Sequence, residues 1–147
     1  MGNEYELSNY LINESTRERM NKSTKFRTFE DLECWQACRE LRIFAAKVCK
    51  ELPKEEEYRL KDQILRSARS TTANTAEGYG RFHYQENIQY CRNARGSAYE
   101  VLDHFITGVD ENLVPEDALS QCRILVEKSV KLLNGYIRYL ESKKGRG

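Results

Sequence analysis

Apolar residues recur at intervals of three and four in four separate segments of the chain, the spacing that places them on one face of an α-helix. No segment shows the strict alternation of apolar and polar residues that is typical of a half-buried strand. The pattern therefore predicts four amphipathic helices, over residues Phe29–Leu52, Glu55–Ala76, Tyr84–Val109 and Glu116–Ser142.

Capping and helix-breaking residues set these bounds. Thr28 is expected to cap the first helix, and Pro53 is expected to stop it. The three acids Glu55–Glu57 suit the start of the second helix, because negative charge is favourable at a helix N-terminus. Gly78-Tyr79-Gly80 is expected to end that helix, and Pro115 to begin the fourth.

Short connections make successive helices antiparallel neighbours. The sequence therefore predicts an all-α fold, an antiparallel up-down-up-down four-helix bundle over residues 26–142 with a polar N-terminal arm and a basic tail over residues 143–147. The second helix is expected to pack closely on a neighbour because most residues of its buried face are small. This face comprises Leu60, Ile64, Ser67, Ala68, Thr71, Thr72 and Thr75.

The N-terminal arm, residues 1–25, carries four acids and four bases. Its apolar residues form only one short patch, which consists of Leu7, Tyr10, Leu11 and Ile12. We interpret the arm as loosely ordered or as a short helix.

The first helix has a second apolar arc outside the one assigned to the core. Leu32, Trp35, Ile43 and Ala46 lie on it, interleaved with Arg39 and Arg42. Trp and Arg are enriched at protein interfaces, so we interpret Leu32, Trp35, Arg39, Arg42 and Ile43 as a candidate surface for self-association. The alternatives are that Trp35 folds over the end of the bundle and packs internally, or that a foreign partner binds here.

Arginines on and near the second and third helices are candidates for contact with RNA phosphates, and nearby Tyr79, Phe82 and Tyr84 for stacking on bases. The candidate residues are Arg59, Arg66, Arg69, Arg81, Arg92 and Arg95. The alternative is a solvated face with intramolecular ion pairs, since Asp62–Arg66 and Glu77–Arg81 are four residues apart.

Composition excludes few partners, because the formal net charge is only +1. The sequence shows neither a run long and apolar enough for a membrane span nor a secretion signal, and its five cysteines are an odd number. These features predict a cytoplasmic protein with reduced thiols. Cys34 and Cys38 lie one helical turn apart, but small apolar core residues are a better interpretation than metal ligands.

Catalytic patterns are absent from the sequence: it contains no Walker A loop, HExxH, GxSxG or dinucleotide fingerprint. Glu77 and His83 are a candidate acid–base pair, for instance of a nuclease, but neither a nucleophile nor a metal site accompanies them. We therefore expect no enzyme activity, no cofactor and no small-molecule substrate.

Several local motifs, in order, resemble the bacterial four helix bundle protein family, also called the 23S rRNA intervening-sequence protein family. They are Phe29-Glu30-Asp31-Leu32-Glu33-Cys34-Trp35-Gln36, a segment from Gln63 to Gly80 that contains Asn74-Thr75-Ala76-Glu77-Gly78 and resembles the family's signature helix, Gly96-Ser97-Ala98-Tyr99-Glu100, and Leu133-Asn134-Gly135. Together they cover about residues 26–142. Thr71 and Thr75 differ from the family pattern, which usually has isoleucine there.

The resemblance implies a four-helix protomer that assembles as a ring, typically a pentamer, without enzyme activity. It also implies RNA or a ribonucleoprotein as the leading partner. Some relatives are accessory proteins of diversity-generating retroelements that bind a reverse transcriptase and RNA, which gives an alternative function. A third alternative is a structural or interaction protein with no nucleic-acid role.

Overall fold

Within residues 28–144, the part that the computed structural model describes, the chain forms four α-helices and no strand. They are α1 (Glu33–Cys49), α2 (Leu60–Gly80), α3 (Tyr84–Asp110) and α4 (Glu116–Lys144). The predicted all-α bundle is confirmed. The predicted N-terminal arm and the last three residues of the predicted basic tail lie outside the described residues.

Each helix packs against two others, in the order α1–α2–α3–α4 and back to α1. Contacts between opposite helix ends show that sequential helices are antiparallel. The Cys49 thiol at the end of α1 lies 4.0 Å from the carbonyl oxygen of Lys61 at the start of α2. Asn87 near the start of α3 donates to the Tyr136 hydroxyl near the end of α4 at 3.0 Å.

The start of the first helix differs from the prediction. Residues Phe29–Asp31 form a short 3-10 turn, Leu32 is extended, and α1 begins only at Glu33. Thr28 makes no capping hydrogen bond through its side chain, so the predicted cap is wrong. At the other end, α1 stops at Cys49, before Pro53.

The second helix begins later than predicted. Lys54–Glu56 form a 3-10 turn, and α2 starts at Leu60. One of the predicted acids still stabilises this start, because the Glu56 carboxylate accepts a hydrogen bond from the Leu60 backbone N–H at 3.2 Å. A carboxylate there also interacts favourably with the positive end of the helix dipole.

The second helix also ends later, because Gly78-Tyr79-Gly80 continues it instead of closing it. None of these residues has a positive φ; the left-handed residue of the α2–α3 turn is Phe82, with φ of 54°. Gly78 instead allows close packing. A Cβ built on it would lie 2.8 Å from both the Asn87 Oδ1 and the Tyr90 Cβ of α3.

The core consists of two clusters, one toward each end of the bundle. Phe105, stacked on Phe44 at 5.9 Å between ring centroids, lies in the first, and Tyr136 lies in the second. The predicted buried face of the second helix is confirmed at every position, and Gly78 extends it. No helix in residues 28–144 is long and apolar enough to cross a membrane.

Candidate interaction surface

A groove of ≈ 630 Å³ runs along the surface between α1 and α2. Its walls are mainly apolar or small side chains from the two helices, and the aromatic rings of Phe29 and Trp35 lie at one end. The lining residues are Phe29, Trp35, Arg42, Ile43, Ala46, Leu65, Ala68, Arg69, Thr72, Ala73 and Ala76. The groove joins the predicted second arc of the first helix to a stripe of small residues on α2.

The single tryptophan stands at one end of this groove, half-buried. The Trp35 ring packs edge-on against Phe29, with 5.2 Å between centroids. Phe29 in turn lies 6.4 Å from the ring of Tyr79, at the end of α2. The Arg39 guanidinium lies over the Trp35 ring, 5.9 Å from its centroid. The electrons of the ring face attract the positive charge of the guanidinium, so this contact is favourable. Trp35 therefore packs partly against its own subunit and partly lines the groove.

The charged side chains that line the groove are both basic. The Arg42 guanidinium donates a hydrogen bond to the Thr72 hydroxyl at 2.8 Å, linking the two walls. Arg69 is exposed on the α2 wall. Because no acid lines the groove, an acidic apolar segment complements it better than a basic one.

Leu32 does not belong to this surface, which corrects the prediction. It is 1% exposed and packs in the Tyr136 cluster. The helical phase assigned to it does not apply, because Leu32 is extended and precedes α1. Ile43, by contrast, is 53% exposed beside the groove.

The candidate RNA-binding arginines lie in more than one place. Arg59 and Arg66 are exposed at the start and on the outer side of α2, and Arg69 lines the groove. The Arg66 guanidinium lies 3.7 Å from Asp62, a pair expected from the sequence. Arg81 also forms its expected pair, at 2.9 Å from Glu77.

The other two arginines reach toward α4 instead. Arg92 lies 3.4 Å from the Glu141 carboxylate, and Arg95 donates to the Asn134 side chain at 2.6 Å. The six candidates therefore do not form one surface. Arg59, just before α2, and Arg66 on α2 are both exposed, and the Arg66 side chain is 79% exposed.

The five cysteines are all reduced and buried. Burial raises the pKa of the Cys38 thiol to about 11 and that of Cys91 to about 12, so neither is a ready nucleophile. No group of three His, Cys, Asp or Glu side chains in residues 28–144 is placed to hold a metal ion. Of the candidate acid–base pair, Glu77 binds Arg81, and His83 is exposed in the α2–α3 turn.

Comparison with known families decides the identity of this bundle. The model of the 23S rRNA-intervening sequence protein family matches residues 30–135, which is most of the chain. The chain belongs to this family. No curated protein matches it.

In this member of the family, motif residues that carried the resemblance lie where α2 meets α3. The Ser70 and Ser97 hydroxyls are 2.8 Å apart. Asn74 donates to both the backbone carbonyl and the hydroxyl of Ser70, at 2.9 and 2.8 Å. Gly78, one further turn along α2, gives Asn87 room to approach. These motif residues therefore hold α2 and α3 together.

Sequence reasoning missed one wall of the groove. Leu65, Ala73 and Ala76 form a second apolar stripe on α2, separate from its core face. The signal was present in the sequence, because these residues recur at helical spacing. It was overlooked because alanines carry little weight in an apolar pattern.

Proposed function

We propose that this family member is a non-enzymatic module that self-associates through the α1–α2 groove face into a closed ring, and that the ring binds RNA or a ribonucleoprotein. The observation that carries self-association is the ≈ 630 Å³ apolar groove lined by the single tryptophan and by Ile43, which is 53% exposed. Exposed apolar patches rimmed by polar side chains are typical of protein contact sites. Aromatic residues and arginine are typical of their energetic centres.

The ring size and the compartment belong to the same proposal. Five subunits is the number that the resemblance implies. A cytoplasmic location suits a chain whose five cysteines are all unpaired and buried, since reduced thiols persist in that compartment.

Light scattering of the full chain at micromolar concentration tests self-association. We expect a mass several times the 17.2 kDa of one chain. Trp35→Ala and Ile43→Ser each remove apolar surface from the face, so each is expected to shift the assembly toward monomer at least tenfold in dissociation constant.

Ile124→Ser provides the matched control, because Ile124 is 58% exposed on α4, away from the groove. It is expected to leave the mass unchanged. A monomeric wild-type chain would contradict self-association. An assembly that Trp35→Ala and Ile43→Ser leave intact would contradict the assignment of this face.

RNA binding is proposed for the outer side of α2. Arg59 and Arg66 are exposed there, and a ring repeats them once per subunit, so several weak phosphate contacts act together. The near-neutral chain makes such binding depend on this local cluster and not on overall charge.

Fluorescence anisotropy with a labelled single-stranded RNA tests this part. The double variant Arg59→Ala, Arg66→Ala is expected to bind about tenfold more weakly, with a smaller salt dependence. The control Lys128→Ala, Lys131→Ala removes two charges from α4. Equal RNA affinity of the two double variants would contradict the site, and an interaction module without a nucleic-acid role would then be favoured.

A further inference from the structure

We propose that the α1–α2 groove of each subunit is filled by the acidic N-terminal segment Glu4–Glu14 of a neighbouring copy of the chain. This inference rests on the proposed self-association and names the part of the second copy that enters the groove. The segment precedes the described residues, and its sequence complements the geometry and the charge of the groove.

The groove and the segment match in size and in apolar pattern. The lining extends from Trp35 to Ala46 along α1, about 16 Å at 1.5 Å per residue. Leu7, Tyr10 and Leu11 are spaced at i, i+3 and i+4, the pattern by which an amphipathic helix binds in an apolar groove. As a helix, the stretch from Glu4 to Glu14 is about 15 Å long, so it fits within the groove.

The charges also match. The groove is lined by two arginines, Arg42 and Arg69, and by no acid. Residues 1–16 contain three acids, Glu4, Glu6 and Glu14, and no lysine or arginine. The basic residues of the arm all follow this segment, from Arg17 onward. Charge complementarity therefore selects the first half of the arm as the part that binds, since like charges at the groove oppose the second half.

The position of the arm favours exchange between copies. The described chain starts at Thr28, next to Phe29 at the aromatic end of the groove. Residues 15–27 between the segment and this point span up to about 45 Å, enough to reach a neighbouring subunit. A ring of more than two subunits needs two different complementary surfaces on each subunit, and an arm with a groove supplies such a pair.

Two full-length variants separate the arm from the groove. The arm variant, Leu7→Ser with Leu11→Ser, keeps an intact groove. The groove variant, Ile43→Glu with Ala73→Glu, keeps an intact arm and places acids at two exposed positions, so its fold is retained. Each variant alone is expected to be monomeric in sedimentation. Met20→Ser, a change in the arm outside the segment, is the control and is expected to leave the assembly unchanged.

Mixing the two variants is the decisive step. One arm and one groove remain usable in the mixture, so we expect a heterodimer of about 34 kDa, twice the 17.2 kDa of one chain, and nothing larger. Absence of the heterodimer would overturn arm exchange between copies. This outcome is expected, for example, if the segment fills the groove of its own subunit.

The remaining outcomes distinguish this inference from the proposed function. An arm variant that stays fully assembled would overturn the inference but leave self-association standing, with the bundle of the second copy as the occupant of the groove. A wild-type chain that is monomeric at the same concentration would overturn both.

Neutralising the segment tests its charge. Glu6→Gln with Glu14→Gln is expected to weaken assembly about tenfold, with a smaller salt dependence. Glu18→Gln lies in the basic half of the arm and is the matched control. Equal effects of the acidic-segment variant and of the control would contradict recognition by Arg42 and Arg69.

Discussion

Gly78→Ala tests the close approach of α2 and α3 that the structure shows. Gly78 is buried in α2, and a Cβ added there would lie 2.8 Å from the Tyr90 Cβ, 2.8 Å from the Asn87 Oδ1 and 3.2 Å from the Asn87 carbonyl oxygen. The Tyr90 Cβ and the Asn87 carbonyl are fixed to the backbone of α3. Rotation of a side chain therefore does not relieve the contact, and the two helices have to separate.

Two opposing effects determine the magnitude. Alanine is favoured over glycine inside a helix by about 1 kcal/mol. Overpacking costs about 1–3 kcal/mol, and weakening the hydrogen bond from Asn87 to the buried Tyr136 hydroxyl costs about 1 kcal/mol more. We expect Gly78→Ala to lower the free energy of unfolding by about 1–3 kcal/mol.

Gly96→Ala is the matched control, because Gly96 lies within α3 with nothing inside 4 Å of the added Cβ. It is expected to raise the free energy of unfolding by about 0.5–1 kcal/mol. Urea unfolding followed by circular dichroism, at one fixed chain concentration, measures both. If Gly78→Ala proves as stable as Gly96→Ala, the close contact of the two helices is refuted.

Three further predictions concern the turn, the core and the thiols. Phe82→Gly is expected to raise the melting temperature by a few degrees, because glycine adopts the φ of 54° seen at Phe82 without strain and the 89% exposed ring loses little packing. An unchanged melting temperature would contradict backbone strain at this turn. Phe105→Ala is expected to lower the free energy of unfolding in urea by about 3–5 kcal/mol, and Ile124→Ala by less than about 0.5 kcal/mol, because of the two only Phe105 is fully buried. Similar losses for the two variants would contradict the position of Phe105 in the core. Stability is expected to fall between about pH 9 and pH 11, by up to about 1.4 kcal/mol per pH unit for each buried thiol, because the unfolded chain releases protons that the folded thiols retain. Burial raises the pKa of Cys91 to about 12, so Cys91→Ala is expected to make this fall less steep, and an unchanged slope would contradict the raised pKa.

The helices and their buried faces could be predicted because burial of one face imposes a regular period on the sequence. The small-residue face of α2 is the best example, since every predicted position is buried. Helix ends were harder to predict, because they depend on tertiary contacts. Glycine commonly ends a helix, yet Gly78 lies inside α2 and allows α3 to pack closely against it. The left-handed residue of the turn is Phe82.

The candidate surface was only partly predictable for a related reason. Trp35 and Ile43 were found from helical phase, whereas the α2 wall of the groove becomes visible only when two helices are placed side by side. Leu32 was misplaced because helical phase was extended to a residue that precedes the helix. The distribution of the arginines also required the fold, since Arg95 pairs with a residue of α4.

The central claim is that the α1–α2 groove is covered when copies of the chain assemble. The single tryptophan lines this groove, so acrylamide quenching of Trp35 fluorescence, measured across a dilution series that spans assembly, tests the claim directly. We predict that quenching decreases as the mass of the assembly increases, and that the groove variant Ile43→Glu, Ala73→Glu shows strong quenching at every concentration. Constant quenching of the wild-type chain while its mass increases would show that the copies meet through another face.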